Sequence, residues 1–173
     1  MRSKQPIIKV KDLHVYFYTY AGIVKAINGV SFTVYKGEKF CMVGETGCGK
    51  TVISRALTNS IPKPGRIVKG EIIYYGWGKP INILEISEDK LREIRGKEIA
   101  YIVQDPTSAL DPLYQIGYQI SETMYDHGGV SSIKEGILRA VELLKNVLMP
   151  DPEKRVKNYP HELSGGQKQR AVI

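Results

Sequence analysis

The tightest constraint on how this chain can fold is a glycine loop with defined flanks. Gly44-Glu45-Thr46-Gly47-Cys48-Gly49-Lys50-Thr51 fits the pattern G-x-x-x-x-G-K-[ST]. Before it runs Phe40-Cys41-Met42-Val43, short and continuously apolar, which reads as a strand buried on both faces. After it, Lys50 to Asn59 places Ile53, Ala56 and Leu57 on one helical face, and Pro62-Lys63-Pro64-Gly65 stops the helix. Triphosphate is dense in negative charge, so holding it takes many donors at close range. Backbone amides supply them only where side chains do not obstruct the approach, which accounts for Gly44, Gly47 and Gly49. Lys50 adds a point charge for the β- and γ-phosphates, and the Thr51 hydroxyl suits Mg²⁺. Glu45, Thr46, Cys48 and Val52 complete the wrap around such a ligand, with Cys48 beside the lysine and open to alkylation.

Composition narrows the class. At 173 residues the chain is long enough to bury a real core, and 42% hydrophobic with 25% charged residues is ordinary for a globular protein. No apolar run approaches the roughly 18 residues of a membrane span. Met1-Arg2-Ser3-Lys4-Gln5-Pro6 has no apolar segment behind it, so a secretory leader is not expected and the chain is placed in the cytosol. Two cysteines, Cys41 and Cys48, make no disulfide framework. The net charge of +7 raises nucleic acid as a ligand, but the lysines are scattered among acids, as from Glu85 to Glu98, with no block of five like charges.

Along the rest of the chain, Ile7–Phe17 and Val24–Tyr35 read as strands, the second with a bulge or turn at Asn28-Gly29. Gly70–Trp77 and Ile81–Leu84 form an antiparallel pair, Ser87 opens a short helix, and Glu98–Val103 is a second buried strand. Asp105 to Pro112 is a loop and Gly117–Asp126 a helix. Ser132 and Glu135 have capping-box spacing ahead of an apolar stripe, Ile133, Ile137, Val141, Leu144 and Leu148, that reads as core. Ser164 caps a last helix from Gly165 to Ile173.

Leu163-Ser164-Gly165-Gly166-Gln167 lies about 113 positions after Lys50. A serine cap before two glycines makes a second helix start with exposed amides, a second place for an anion. With these two motifs in this order, the sequence closely resembles the ATP-binding subunits of ABC transporters, from about Ile7 to its last residue. That resemblance implies an α/β fold: a P-loop NTPase core of ABC type, incomplete here, with an antiparallel β subdomain and a helical subdomain. It divides the chain into residues 1–103, the nucleotide-binding core with the β subdomain, and 104–173, the Q-loop and helical region. ATP and Mg²⁺ are the implied cofactors. Leu163 to Gln167 would grip ATP held on the phosphate loop of a second ATP-binding subunit, paired head to tail. Gln104 matches the Q-loop glutamine, which helps hold Mg²⁺ and the attacking water and whose loop, with the helical region, meets transmembrane permease subunits. Phe17 matches the aromatic that stacks on adenine; packing within its strand is the alternative.

Three stretches, Val24–Phe32, Gln104–Pro112 and Tyr159–Gln167, resemble importers of oligopeptides, dipeptides or nickel. Such a subunit lies peripherally on the inner face of the cell membrane. After Gln167 there is no apolar strand ending in Asp-Glu and no switch histidine; His161 precedes the signature, and His14 and His127 read as structural or solvated. The expectation is therefore a fragment of a longer subunit, truncated before the C-terminal half of the catalytic core and turning over ATP poorly by itself. Other readings are an ABC-type ATPase acting on nucleic acid or ribosomes, for which the spacing leaves no room for long inserts, and a non-enzymatic regulatory fragment.

Overall fold

The computed structural model describes residues 5–173; of the N-terminal stretch read for a leader, Met1–Lys4 lie outside the described residues. The chain forms two compact units, one reaching Ile99 and the other starting at Ala100. In the first, four antiparallel strands lie in the order β2-β1-β3-β4: β1 (Pro6–Thr19), β2 (Gly22–Tyr35), β3 (Gly65–Tyr74) and β4 (Ile81–Asn82). Helices α1 (Lys50–Ala56) and α2 (Glu88–Ile94) accompany the sheet.

Strand β1 is the shared member, paired to β2 on one side and β3 on the other. Ile8, Val10, Leu13 and Val15 are its buried side chains. The inward parity shifts between Val10 and Leu13, where Asp12 takes φ +43° and both ladders slip. Opposite, Leu13 pairs with Val30 and His14 with Asn28, so Gly29 is left over as a bulge at φ +84°, in the segment where the sequence suggests one. Ile27, Ile72 and Ile83 join the β1 residues, and Ile53 and Ala56 of α1 with Leu91 and Ile94 of α2 close the cluster.

Two expected strands are not formed. Phe40–Val43 is irregular: Val43 is 93% exposed, and Phe40 stacks on Phe32 at 5.1 Å. From Glu98 to Val103 only Ile99 makes a bridge, to Arg95, and Ile102 is 51% exposed. An apolar run becomes a buried strand only beside neighbours that complete its ladder, and neither segment has one among the described residues. Strand β3 also starts earlier than expected, at Gly65, because Gly65 pairs with Phe17 of β1.

The second unit is helical: α3 (Ile116–Asp126), α4 (Ile133–Asn146), α5 (Pro152–Arg155) and α6 (Gly165–Val172), with 3₁₀ turns at Pro106–Ser108 and Pro160–Glu162. Helices α3 and α4 cross closely because small residues meet: a Cβ on Gly136 would lie 2.7 Å from the Cβ of Ser121. Ala140, Leu144, Met149 and Val156 form the core. The α4 stripe is narrower than its spacing suggests. Leu144 is buried, Ile133, Ile137 and Val141 are partly so, and Leu148 is 78% exposed, since α4 ends at Asn146 and Leu148 turns to φ +56°. Ser132 Oγ accepts from the Glu135 amide at 3.2 Å. The Glu135 carboxylate, however, accepts from the amide and hydroxyl of Ser131 rather than the Ser132 amide, and those bonds hold its pKa below the ordinary value.

The buried Tyr74 hydroxyl donates to Glu98 Oε2 at 2.6 Å. Burial first, then that bond and the carboxylate's charge, push its pKa from 10.0 up to about 12. The folded state thus holds this proton more tightly than the unfolded chain, a contribution complete below pH 10 and lost as pH climbs toward 12. Urea unfolding across that range should show a shallower alkaline loss of stability in Tyr74→Phe than in the unsubstituted protein.

Candidate functional site

The glycine loop is a tight turn closed by its own lysine. The Cys48 amide donates to the Glu45 carbonyl at 3.3 Å, and Gly47 and Gly49 take φ +86° and +96°. Lys50 Nζ donates to the carbonyls of Gly44 and Glu45 at 2.7 and 2.6 Å and lies 3.4 Å from Cys48 Sγ. The ammonium is therefore anchored inside the curve of the loop. Gly44 has no room for a side chain, because a Cβ there would sit 2.7 Å from Cys48 Sγ. Gly49 is both N-cap of α1 and its contact with the sheet: a Cβ would meet Ile27 Cδ1 at 2.6 Å and the Ala26 carbonyl at 2.9 Å.

No side chain caps α1, so its first amides stay available to an anion beside the ammonium. Glu45, Thr46, Cys48 and Thr51 are exposed, and Val52 is half-buried against the core. This chemistry suits a polyphosphate: backbone donors, one fixed cation and one accessible hydroxyl. Among the described residues no group of three His, Cys, Asp or Glu forms a metal-holding cluster.

Phe17 is partly buried, packed on the core, with its ring against Gly65. Its neighbours face the other way: Tyr16 hydrogen-bonds Asn28, while Tyr18 and Tyr20 are exposed. Ala26 and Ile27, which back the loop at Gly49, carry no sequence signal for that duty; only the tertiary approach identifies them.

In the second unit, Gln104 is exposed. The turn after it is held by Asp105, whose carboxylate accepts from the Thr107 amide at 3.0 Å and whose carbonyl accepts from Ser108 Oγ at 2.8 Å. Further along, Gln119 grips the loop: its carbonyl accepts from the Asp111 amide at 2.9 Å, and its amide group donates to the carbonyls of Asp111 and Tyr114. At the signature, Ser164 and Gln167 form a reciprocal capping box. Ser164 Oγ accepts from the Gln167 amide at 3.4 Å, and Gln167 Oε1 accepts from the Ser164 amide at 3.0 Å. Leu163 is buried and anchors the turn. Gly165 and Gly166 are exposed, with nothing within 4 Å of where a Cβ would be, and their amides have no intrahelical acceptor. A separate cavity of about 320 Å³ is lined by Met124, Leu144, Val147 and Ala171 together with Thr123, Asn146 and Arg170, whose guanidinium donates to the Leu148 carbonyl.

The family model described as ABC transporter matches residues 27–173. A dipeptide transport ATP-binding protein of Lactococcus lactis is 43% identical over 171 residues, 99% of this chain and 48% of that protein. An oligopeptide transport ATP-binding protein of Bacillus subtilis is 45% identical over 168 residues, 96% of this chain and 46% of the relative. The chain thus spans about half the length of these relatives. Among solved structures, a dimeric ATP-binding cassette in a post-hydrolysis state bound to ADP and Pi superposes with a TM-score of 0.80 at 23% identity, covering 95% of this chain and 66% of the other. That likeness establishes the fold: an ABC-type cassette fold, of which this chain carries the antiparallel sheet, the phosphate loop and the helical region.

Gly49→Ala should destabilise the protein by about 1–3 kcal/mol in urea unfolding, since the residue meets a positive φ and two clashes at once. Gly165→Ala is the contrast, expected to change stability by no more than about 1 kcal/mol, its Cβ position being open.

Proposed function

This chain belongs to the ABC transporter family, and on that premise we propose that it is the ATP-binding portion of an importer subunit, one that powers uptake of peptide-like solutes. The observation that carries the nucleotide part is the anchored Lys50 ammonium within a loop of unobstructed amides. Peptide uptake rests on relatives named for dipeptide and oligopeptide transport at 43–45% identity; nickel uptake is the other member of the class that the motifs resemble.

In this reading the amides of the phosphate loop and the Lys50 ammonium bind the β- and γ-phosphates, and the ring of Phe17 stacks on the adenine. Thr51 and Gln104 are the residues that would hold Mg²⁺, which when bound neutralises developing phosphate charge. The free amides of Gly165 and Gly166 face the nucleotide of a second subunit paired head to tail, while Leu163, Ser164 and Gln167 hold the turn that presents them. The Q-loop and helical region, from residue 104 on, meet the permease subunits, and residues 1–103 form the nucleotide-binding part. The working place is the inner face of the membrane, reached through partners, as no helix among the described residues is long and apolar enough to cross a membrane.

MgATP binding by the purified protein, measured by calorimetry, tests the reading. Lys50→Ala should weaken it at least about tenfold by removing a charge-assisted contact. Alkylation of Cys48 by a bulky maleimide should block it as well, since Sγ fills the space over Gly44; unchanged affinity after stoichiometric labelling would count against this placement of the ligand.

A further inference from the structure

We infer that Arg95 is a positioning residue for the phosphate site, acting through the far end of α1. The helix opens at Lys50 and breaks after Ala56, where Thr58, Asn59 and Ser60 fold back on Arg55 and Ala56, and Asn59 takes φ +49°. That reversal leaves the carbonyls of Thr58 and Asn59 pointing out of the helix end. Both accept from one guanidinium: Arg95 Nε donates to the Thr58 carbonyl at 2.9 Å, and Nη2 to the Asn59 carbonyl at 2.8 Å. The remaining arm, Nη1, donates to Glu88 Oε1 at 2.6 Å, at the start of α2. Arg95 is itself fixed by its amide bond to the Leu91 carbonyl and by its bridge to Ile99.

The geometry makes α1 a short rod held at both ends. In front, Gly49 presses on Ala26 and Ile27 of β2. Behind, the guanidinium ties the helix exit to α2. Seven residues at about 1.5 Å rise make a rod of roughly 10 Å, so a shift at the rear is carried to the loop amides and the Lys50 ammonium with little loss. The cation also sits at the negative end of the helix dipole, where charge is favourable. A planar fork can satisfy two carbonyls and a carboxylate together, whereas a lysine ammonium on a flexible stem holds this arrangement poorly. Glu88 supports the arginine through its third arm. Nothing in the sequence patterns singles out Arg95, because the partners it joins lie 36 and 37 positions away.

This inference rests on the nucleotide reading for its functional meaning, and its test separates the two. In nucleotide-free protein, hydrogen–deuterium exchange is followed over residues 44–59 in the unsubstituted chain, Arg95→Gln, Arg95→Lys and Glu88→Gln, alongside calorimetric titration with MgATP. Arg95→Gln should raise exchange through α1 and the loop and weaken MgATP about tenfold. Arg95→Lys should fall between, and Glu88→Gln should stay within about twofold of the unsubstituted protein. Leu144→Ala, a change in the separate core of the helical unit, serves as the control: it should lower the unfolding midpoint while leaving MgATP affinity unaltered. If Arg95→Gln does not fold, Arg95→Lys carries the comparison. Exchange and affinity unchanged in the arginine variants, or affinity loss matched by Leu144→Ala, would overturn the assignment. Should the unsubstituted protein bind no MgATP, the nucleotide reading fails, and the exchange data alone decide whether Arg95 orders the loop.

Discussion

Strand β1 lies between two neighbours, and the first unit is organised around that fact. Its inward side chains, Val10, Leu13 and Val15, are almost wholly buried, so its parity sets which face of β2 and β3 is apolar. Because β2 follows that parity, Ile27 points into the core, and its backbone neighbourhood becomes the wall on which Gly49 rests. The phosphate loop is therefore placed by a chain of contacts that starts in hydrophobic alternation and ends in a glycine without a side chain. Energetically the first links are area burial, worth a few kcal/mol per large side chain, and the last is steric exclusion, which contributes precision rather than stability.

Local signals and tertiary signals were legible to different degrees. Caps, breakers and periodicity placed α1, α3, α4 and α6 within a few residues, because the reasons for those helices are carried in adjacent side chains: Ser164 with Gln167, Ser132 with Glu135, the prolines after Asn59. The bulge at Gly29 was readable for the same reason. Phe40–Val43 and Glu98–Val103 were misjudged because an apolar run specifies a strand only together with its neighbours, and neighbours are not written locally. The Glu135 carboxylate went one residue further back than capping-box spacing suggests, to Ser131, which offers a hydroxyl as well as an amide. The glycine loop and the serine-capped turn could be picked out from residue type and spacing, whereas Ala26, Ile27 and Arg95 became visible only through distances between segments remote in sequence.

At the signature, the side chains that first attract a chemist's attention are occupied. Ser164 and Gln167 satisfy each other, and Leu163 is buried. What the turn offers outward is backbone. The phosphate loop follows the same logic, its one charged side chain being held by carbonyls of the loop itself. What both places present outward is therefore set by chain path, and residues such as Leu163 and Ile27 set that path.

The close crossing of α3 and α4 has an evolutionary corollary. Gly136 against Ser121, and Gly117 against Val156, leave no room for a Cβ at those two contacts. Drift is barred there and is channelled to the outer faces, where Tyr125, Leu138 and Leu143 stand in solvent. A lineage can thus rewrite the exterior of this unit without retuning those two contacts.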